Sequence, residues 1–165
     1  MHSIGDPFSF VGAGIAAGIE QAKNIYPGYN QGAAGYGRRF GAAYGDDGIS
    51  RLLGSAVLPS ILHQDPRYFY QGSGTKKSRL RHAIASAVIC RGDNGQAEVN
   101  YSYIGGSFAS GAISNLYYPD GSRGAGLVIA NGFLNIAGHA ADDVVREFVL
   151  KRVTPKVPDY ANGRQ

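Results

Sequence analysis

Apolar residues recur at intervals of three and four along most of the chain, a spacing that places them on one face of an α-helix. Val11, Ile15 and Ile19 form one such ridge, and residues 49–57 contain another. Turn-forming Pro, Gly and Asp residues separate the ridges. The pattern predicts helices at about residues 10–24, 31–44, 78–90, 103–118 and 124–152, and a further one that begins after Asp46 or Asp47 and bends or ends at Pro59.

Small residues repeat at every fourth position in three of these segments. Glycine inside a helix costs about 1 kcal/mol relative to alanine, so such rows need a compensating contact, and close approach of two helix backbones provides one. The predicted fold class is therefore all-α, a compact bundle of about five or six helices with Gly/Ala interfaces. The rows are Gly14, Gly18, Ala22; Ala33, Gly37, Gly41, Gly45; and Gly106, Ser110, Ser114, with Gly105 and Ala109 beside the last.

One segment alternates with a period of two instead, because Ala97, Val99, Tyr101 and Tyr103 are separated by polar residues. With 25 Gly and 11 Tyr, the composition also suits an outer-membrane-type β-barrel fragment, which is the alternative fold. Most other segments lack this alternation, and the helical bundle is therefore the main prediction.

Composition restricts the domain organisation and the chemistry. At 165 residues with 44% hydrophobic positions, we predict a single helical domain over residues 1–154 and a flexible C-terminal tail, residues 155–165. The one Cys excludes an internal disulfide and a multi-cysteine zinc site, and we predict neither a metal nor a cofactor. A net charge of +4 is a modest excess, so nucleic acid is not an expected partner.

Two long stretches, residues 101–119 and 124–141, carry no charged residue unless His139 is protonated. Their lengths are close to the ~20 mostly apolar residues that a membrane-spanning helix needs. Asn115, Asn131 and Asn135 dilute both stretches and would be costly against lipid tails. The pair has three possible interpretations: a spanning hairpin, a membrane-apposed or re-entrant hairpin, or two helices of a soluble bundle.

A basic cluster follows a Gly-rich turn at the start of the helix predicted over residues 78–90. Cations at a helix N-terminus are unfavourable, and an anion bound by the free N–H groups would offset this effect. The cluster is thus a candidate site for a phosphate or a lipid headgroup, with plain solvation as the alternative. The candidate anion-binding residues are Lys76, Lys77, Arg79 and Arg81.

A second candidate site combines the polar block of residues 63–69 with a polar stripe on the last helix. The block contains an Asp–Pro step that suits a helix start and a planar guanidinium donor. In the stripe, a His four residues before an Asp can hold a fixed tautomer, as a general base would. A structural corner and a hydrogen-bonded seam explain the same residues. The candidate cluster is His63, Asp65, Arg67, Asn131, Asn135 and His139.

Two further runs match catalytic or cofactor motifs only weakly. Residues 12–17 fit a dinucleotide fingerprint, but no βαβ unit surrounds them, and a helix-packing face explains them better. Ser107, Asp120 and His139 follow the chain order of a hydrolase triad, although no parallel sheet can be recognised. A small hydrolase that uses Ser107 or the stripe of His139 is therefore a second alternative function.

Three runs carry a resemblance: residues 56–69, which contain the HQDPRYF block and are the most specific, and residues 37–42 and 113–119. Together they resemble an uncharacterised bacterial envelope family. In that family such a segment lies near the C-terminus of exported proteins, sometimes C-terminal to a carboxypeptidase-regulatory-like domain. The resemblance implies an envelope location, in the periplasm or outer membrane, and a further N-terminal part. It implies no catalytic residue.

We therefore expect a non-enzymatic helical domain of the bacterial cell envelope that is membrane-associated or membrane-apposed. The expected partners are a membrane or envelope component and, through the Gly/Ala faces, further copies of the chain. A soluble module that binds an anion through the basic cluster is the alternative. The first residues lack the basic and apolar regions of a secretory signal peptide.

Overall fold

A computed structural model describes residues 7–150 of the chain, and the predicted all-α class is confirmed. The predicted tail, residues 155–165, lies outside the described residues. Short 3₁₀ turns at Pro27–Tyr29 and Asp120–Ser122 connect helices. The helices are α1 (Pro7–Ala22), α2 (Gly32–Leu52) with its π-helical extension Leu53–Val57, α3 (Leu58–Leu62), α4 (Lys76–Ala85), α5 (Tyr101–Ser114), and α6 (Ala125–Val145) with its π-helical extension Arg146–Leu150.

Helix α5 makes the most extensive packing contacts in the bundle. It packs along α6 and also against α2 and the π-helical extension of α2. Helix α1 packs on α2, and α4 packs on α6. Tyr26, Tyr29 and Tyr118 form an aromatic cluster with ring centroids 4.9 to 6.4 Å apart. Both cavities of the candidate site are lined in part by residues of α6.

A small antiparallel sheet replaces part of the helix predicted over residues 78–90. Its strands are β1 (Gln64–Asp65), β2 (Ile89–Gly92) and β3 (Ala97–Val99), in the order β1–β2–β3. Gln64 pairs with Gly92, and Ile89 pairs with Val99. The prediction was wrong beyond residue 85, because the apolar spacing of residues 84–88 is compatible with a helix that the hairpin pairing of β2 then interrupts.

The alternating segment that begins at Ala97 is a strand for only three residues. Asn100 ends it, since the Oδ1 atom of Asn100 accepts a hydrogen bond from the backbone N–H of Tyr103 at 2.9 Å and caps α5. Tyr101 and Tyr103 therefore belong to a helix. The period of two was a correct indication of β3 and a wrong one for the residues that follow.

The break predicted after Tyr44 is absent, because α2 continues through Asp46, Asp47 and Gly48 to Leu52. Asp47 forms a salt bridge with Arg51 one turn later, at 2.9 Å, and Asp46 points into the bundle. The prediction failed because both Asp residues have partners that favour the helical conformation. Pro59, which lacks a backbone N–H, is accommodated by the π-helical extension that precedes it.

In the third row of small residues, Gly106 brings two helix backbones together. A Cβ atom added to Gly106 would lie 2.5 Å from the backbone N of Gly54, so α5 and the extension of α2 nearly touch there. In the first two rows, Gly18, Gly37 and Gly41 have no atom within 4 Å of such a Cβ. The prediction of close backbone contacts is therefore confirmed at Gly106 and wrong at Gly18, Gly37 and Gly41.

The distribution of polar and apolar side chains is inverted relative to an ordinary soluble bundle. The largest fully buried side chains are those of Arg39, Glu147 and Asp143, and five Ser residues are also fully buried. Large apolar side chains lie on the surface, among them Phe10, Val11, Ile15 and Ile19 of α1 and Ile129, Phe133 and Leu134 of α6. Among the described helices, none combines the length and the apolar content that crossing a membrane requires.

Candidate functional site

The polar stripe of α6 faces two different cavities. A helix turns by about 100° per residue, so positions four apart drift by about 40° at each step. Asn131 and Asn135 line a cavity between α1, α2 and α6, which we call the Asp46 cavity. His139 and Asp143 line a second cavity beside α4, β2 and the loop after β1, which we call the Asp143 cavity. The polar cluster predicted from the sequence is thus divided between two sites.

The Asp143 cavity has a volume of about 250 Å³ and combines apolar walls with titratable groups. Asp65 and Arg67, from the block of residues 63–69, reach it and form an ion pair with a separation of 2.6 Å. This bond and the backbone N–H of Arg67 hold the pKa of Asp65 below its ordinary value. The other candidate of that block, His63, lies elsewhere: its exposed ring is 3.5 Å from Asp93.

Asp143 is 1% exposed, and its two carboxylate oxygens have different surroundings. Oδ2 accepts a hydrogen bond from Ser86 Oγ at 2.8 Å and lies 3.8 Å from His139 Nε2. Oδ1 has no hydrogen-bond partner, and Arg146 Nη1 is 3.7 Å away. Burial raises the pKa of Asp143 to about 6, because Ser86 and Arg146 offset only part of the lost hydration.

Neighbouring groups hold the two imidazoles of the Asp143 cavity. The ring of His139 stacks on Tyr103 with centroids 3.9 Å apart, and His82 Nε2 is 2.8 Å from the carbonyl oxygen of Phe69. Asp143 Oδ1, a carboxylate oxygen without a donor in a cavity that two imidazoles also line, can accept a hydrogen bond or a proton from a small polar molecule. The arrangement therefore has the chemistry of a binding site.

The Asp46 cavity is built around a carboxylate that neutral donors surround. Asp46 Oδ2 accepts hydrogen bonds from Tyr118 Oη at 2.6 Å and from Asn131 Nδ2 at 2.9 Å. Ser114 Oγ and Tyr117 Oη donate to Oδ1. Burial raises the pKa of Asp46 in spite of these bonds, because none of the four donors carries a charge.

The Asp46 cavity has a volume of about 220 Å³. Its lining contains four acids, Glu20, Asp46, Asp47 and Asp142, and one cation, Arg51. Arg51 Nη2 is 2.6 Å from Asp142 Oδ2, and Arg51 also pairs with Asp47. Burial raises the pKa of Glu20 to about 7. Two polar atoms on the cavity lining have no hydrogen-bond partner: the Oγ of Ser9 and the Nδ2 of Asn135.

The four predicted anion-binding residues do not act together. Arg79 turns inward, where its Nε donates to Glu147 Oε1 at 2.7 Å and its Nη2 donates to the carbonyl oxygen of Glu147. Lys76, Lys77 and Arg81 remain exposed on α4. The side chain of Thr75 caps this helix by accepting a hydrogen bond from Ser78 N. Three exposed cations at the start of α4 therefore remain from the predicted set.

Glu147 is a residue whose role the sequence analysis missed. It is fully buried and also accepts hydrogen bonds from Tyr68 Oη at 2.9 Å, Gly72 N at 3.1 Å and Gln71 N at 3.3 Å. It thereby fixes the loop of residues 66–75 to the end of α6. Its partners are 68 to 79 positions away in the chain, so no local pattern could have identified it.

Arg39 was missed as well, although it lies in one of the runs that carry the family resemblance. It is 0% exposed, and its five N–H groups all donate, to the carbonyl oxygens of Ile25, Tyr26 and Asn30 and to Gln21 Oε1. Arg39 thus satisfies the backbone of the connection between α1 and α2. An arginine among Gly, Ala and aromatic residues was the one signal available in the sequence.

The residues considered for a hydrolase triad are not joined. Ser107 is fully buried, and its hydroxyl has no hydrogen-bond partner. Asp120 is exposed and pairs with Arg123 at 2.5 Å. In residues 7–150, no group of three His, Cys, Asp or Glu side chains is arranged to hold a metal ion. Comparisons of this chain with protein-family models, with curated proteins and with solved structures found no match.

Proposed function

We propose that this chain is a non-enzymatic helical domain of the bacterial cell envelope that lies against a lipid bilayer through the apolar faces of α1 and α6. The observation that carries the proposal is the inverted distribution of side chains, with polar groups inside and large apolar groups outside. Large exposed apolar patches mark sites of interaction with membranes or proteins. The similarity of residues 56–69 to an envelope family supports the location.

The face of α1 is composed for contact with an apolar phase. Residues 7–19 carry no charge, and Val11, Ile15 and Ile19 are each at least half exposed along one ridge. The opposite side of α1 buries the small residues Ala13 and Ala17. Transfer of a Val or Ile side chain out of water contributes about 1.5–3 kcal/mol when it is complete. Three such residues on one ridge can therefore hold the helix at a lipid surface.

Helix α6 presents a second uncharged face. Ile129, Phe133 and Leu134 are 53%, 62% and 60% exposed. Asn131 and Asp143, elsewhere on the same helix, line the two cavities. Tyr101 is exposed at the start of α5 and Tyr117 follows its end, and such aromatic residues are frequent at membrane interfaces.

Flotation with phospholipid vesicles tests this function. We expect the wild-type chain to float with vesicles in both 0.1 M and 1 M salt, because apolar contacts are not screened. The double variant Ile15→Ser and Phe133→Ser should lower the bound fraction at least fivefold. Ile84→Ser is the matched control, since Ile84 is a similarly exposed residue of α4. A wild-type chain that fails to float would contradict the proposal. A double variant that keeps the wild-type bound fraction and changes only the oligomeric state would contradict it as well, because the apolar faces would then bind another copy of the chain.

A second candidate function rests on the three exposed cations of α4. Lys76, Lys77 and Arg81 can bind anionic headgroups, each contributing about 1 kcal/mol near a charged surface. Flotation that requires anionic vesicles, disappears in 1 M salt and is abolished by changing all three to Ser would favour this function over the first. Arg79 is left unchanged in that variant because it holds Glu147.

A further inference from the structure

The lining of the Asp46 cavity contains four acids and one cation, Arg51. Arg51 pairs with Asp47 and Asp142, and Arg146 lies 3.9 Å from Asp142. Asp46 receives only neutral donors. Glu20 lies near Arg39, but every N–H group of Arg39 is already committed to the backbone and to Gln21. A cation placed in the cavity would therefore compensate a charge that the fold leaves unmatched.

Two unpartnered polar groups in the same cavity indicate what else the bound group must contain. Ser9 is 6% exposed, and its hydroxyl can accept a hydrogen bond from an ammonium group. The amide nitrogen of Asn135 is a donor and requires an oxygen acceptor. The complementary ligand thus has a protonated amine and an oxygen acceptor within one small group.

The size and the rim of the cavity indicate the rest of the ligand. A volume of about 220 Å³ admits a headgroup and not a whole lipid. Leu134 lines the cavity and is 60% exposed, and the ridge of α1 with Ile15 and Ile19 lies on the helix that forms the other wall. An acyl chain attached to the headgroup would find apolar contacts as soon as it leaves the cavity.

We propose that the Asp46 cavity binds the ammonium headgroup of a phosphatidylethanolamine-type lipid, with the amine near Glu20 and Ser9 and an ester or phosphate oxygen near Asn135. This inference rests on the proposed function, since it specifies the lipid that the apolar faces would meet. Phosphatidylcholine cannot donate hydrogen bonds from its quaternary ammonium, and phosphatidylglycerol has no cation. The cavity should discriminate against both.

Titration with dihexanoyl lipids below their micelle concentration tests the inference without a bilayer. We expect the ethanolamine lipid to bind at least tenfold more tightly than the choline and glycerol lipids. Free glycerophosphoethanolamine, which keeps the phosphodiester, should also bind at least tenfold more weakly, because it lacks the acyl chains. Equal binding of the three lipids would overturn the proposal. Equal binding of the lipid and the free headgroup would overturn the assignment to a lipid.

Two kinds of variant locate the site. Glu20→Gln and Ser9→Ala should each weaken binding of the ethanolamine lipid about tenfold, whereas Asp120→Asn, an exposed acid outside the cavity, should leave it unchanged. Gly138→Leu should block the cavity, because Gly138 belongs to its lining and a Cβ there would meet no atom within 4 Å. Gly126→Leu is the control on the same helix, since Gly126 is equally open and lies outside the lining.

The outcomes separate this inference from the proposed function. A chain that floats on vesicles of every composition but does not distinguish the three lipids retains the function and loses the inference. A chain that does not float but binds the ethanolamine lipid in the cavity retains the inference and loses the function. Unchanged binding by Gly138→Leu with a normal circular dichroism spectrum would overturn the inference.

Discussion

The bundle buries two carboxylates that each accept hydrogen bonds from four donors. The pKa of one is raised above its ordinary value, and the pKa of the other is lowered. Asp46 receives two Tyr hydroxyls, one Ser hydroxyl and one Asn amide, and burial keeps its pKa above the ordinary value. Burial acts against Glu147 as well, but Arg79, together with backbone N–H groups and Tyr68, brings the pKa of Glu147 below its ordinary value. The two carboxylates accept a similar number of hydrogen bonds, but only Glu147 has a charged donor, Arg79.

The comparison shows that hydrogen bonds can satisfy a buried carboxylate without compensating its charge. At Glu147 a guanidinium does both, and the result is a fixed structural link between α4, α6 and the loop of residues 66–75. At Asp46 the charge remains partly uncompensated beside a cavity that also contains Glu20. This difference is why we place a cationic headgroup in the Asp46 cavity and assign Glu147 to structure.

Removal of the guanidinium at Glu147 should have the largest effect. Arg79→Leu leaves a buried carboxylate without its cation and should lower the free energy of unfolding by about 3–5 kcal/mol. Arg81→Leu is the matched control on the same helix, and its exposed side chain should change stability by less than about 0.5 kcal/mol. Urea unfolding of both variants provides the measurement. Equal effects would mean that the basic residues of α4 act as one solvated group.

Removal of the charge at Asp46 should cost less, because no cation is left unpaired. Asp46→Asn replaces one acceptor by an NH₂ group that faces existing donors, and leaving such groups unsatisfied costs about 2–3 kcal/mol. Asp120→Asn, on the surface, serves as the reference. If Asp46→Asn lowers the free energy of unfolding as much as Arg79→Leu does, the charge of the donor does not distinguish Asp46 from Glu147.

A shift of α5 should affect the Asp46 cluster more gently. Gly106→Ala places a Cβ 2.5 Å from the backbone N of Gly54 and moves the helix that carries Ser110 and Ser114. We expect a loss of about 1–2 kcal/mol from overpacking. Gly41→Ala has open space and should gain up to about 1 kcal/mol from helix propensity. Thermal unfolding of the two variants shows whether the backbone contact or the low helix propensity of glycine decides if Ala raises or lowers stability.

The pH dependence of stability should show both types of carboxylate. Burial raises the pKa of Glu20 to about 7 and of Asp143 to about 6, so the folded state retains protons that the unfolded chain loses above pH ~4. Stability from these groups is present at low pH and declines as pH rises to about 7. Since Glu20 is partly exposed, solvent screening reduces the contribution of Glu20 to this decline to about 1 kcal/mol.

Groups with a lowered pKa act in the opposite direction at more acidic pH. Glu147 and Asp65 stabilise the fold above their unfolded pKa values and lose that contribution below pH ~4. We therefore expect maximal stability near pH ~5. Asp143, which faces Arg146, Asp142, His82 and His139, is tested by Asp143→Asn, which should flatten the decline above pH 5. If stability declines with the same slope in this variant, a group other than Asp143 causes the decline.

Local pattern was sufficient for the helices whose neighbours impose nothing unusual. The period of the apolar residues located α1, α5 and α6 to within a few residues, because helix formation is decided by contacts three and four positions apart. It wrongly predicted a break in α2 near Asp46 and a continuation of α4 beyond residue 85. In both places a partner far along the chain determines the backbone: the donors Ser114 to Asn131 in one case and the strand pairing with residues 97–99 in the other.

The candidate site was predicted in its residue types and not in its grouping. The stripe of α6 was recognised, but a helical drift of about 40° per step divides it between two cavities. His63 was included because of its neighbours in the sequence, and it lies outside both. Glu20, Ser9 and Asn135 come together only because α1 and α6 flank the same segment of α2.

What the amino-acid sequence alone determined is the helical class and the presence on each main helix of one apolar face and one face of small or polar residues. It did not determine which face turns inward. That choice depends on whether buried polar groups can satisfy one another across helices, as Asp46, Glu147 and Arg39 do. Such complementarity involves partners from several elements, so it exists only in the assembled tertiary structure.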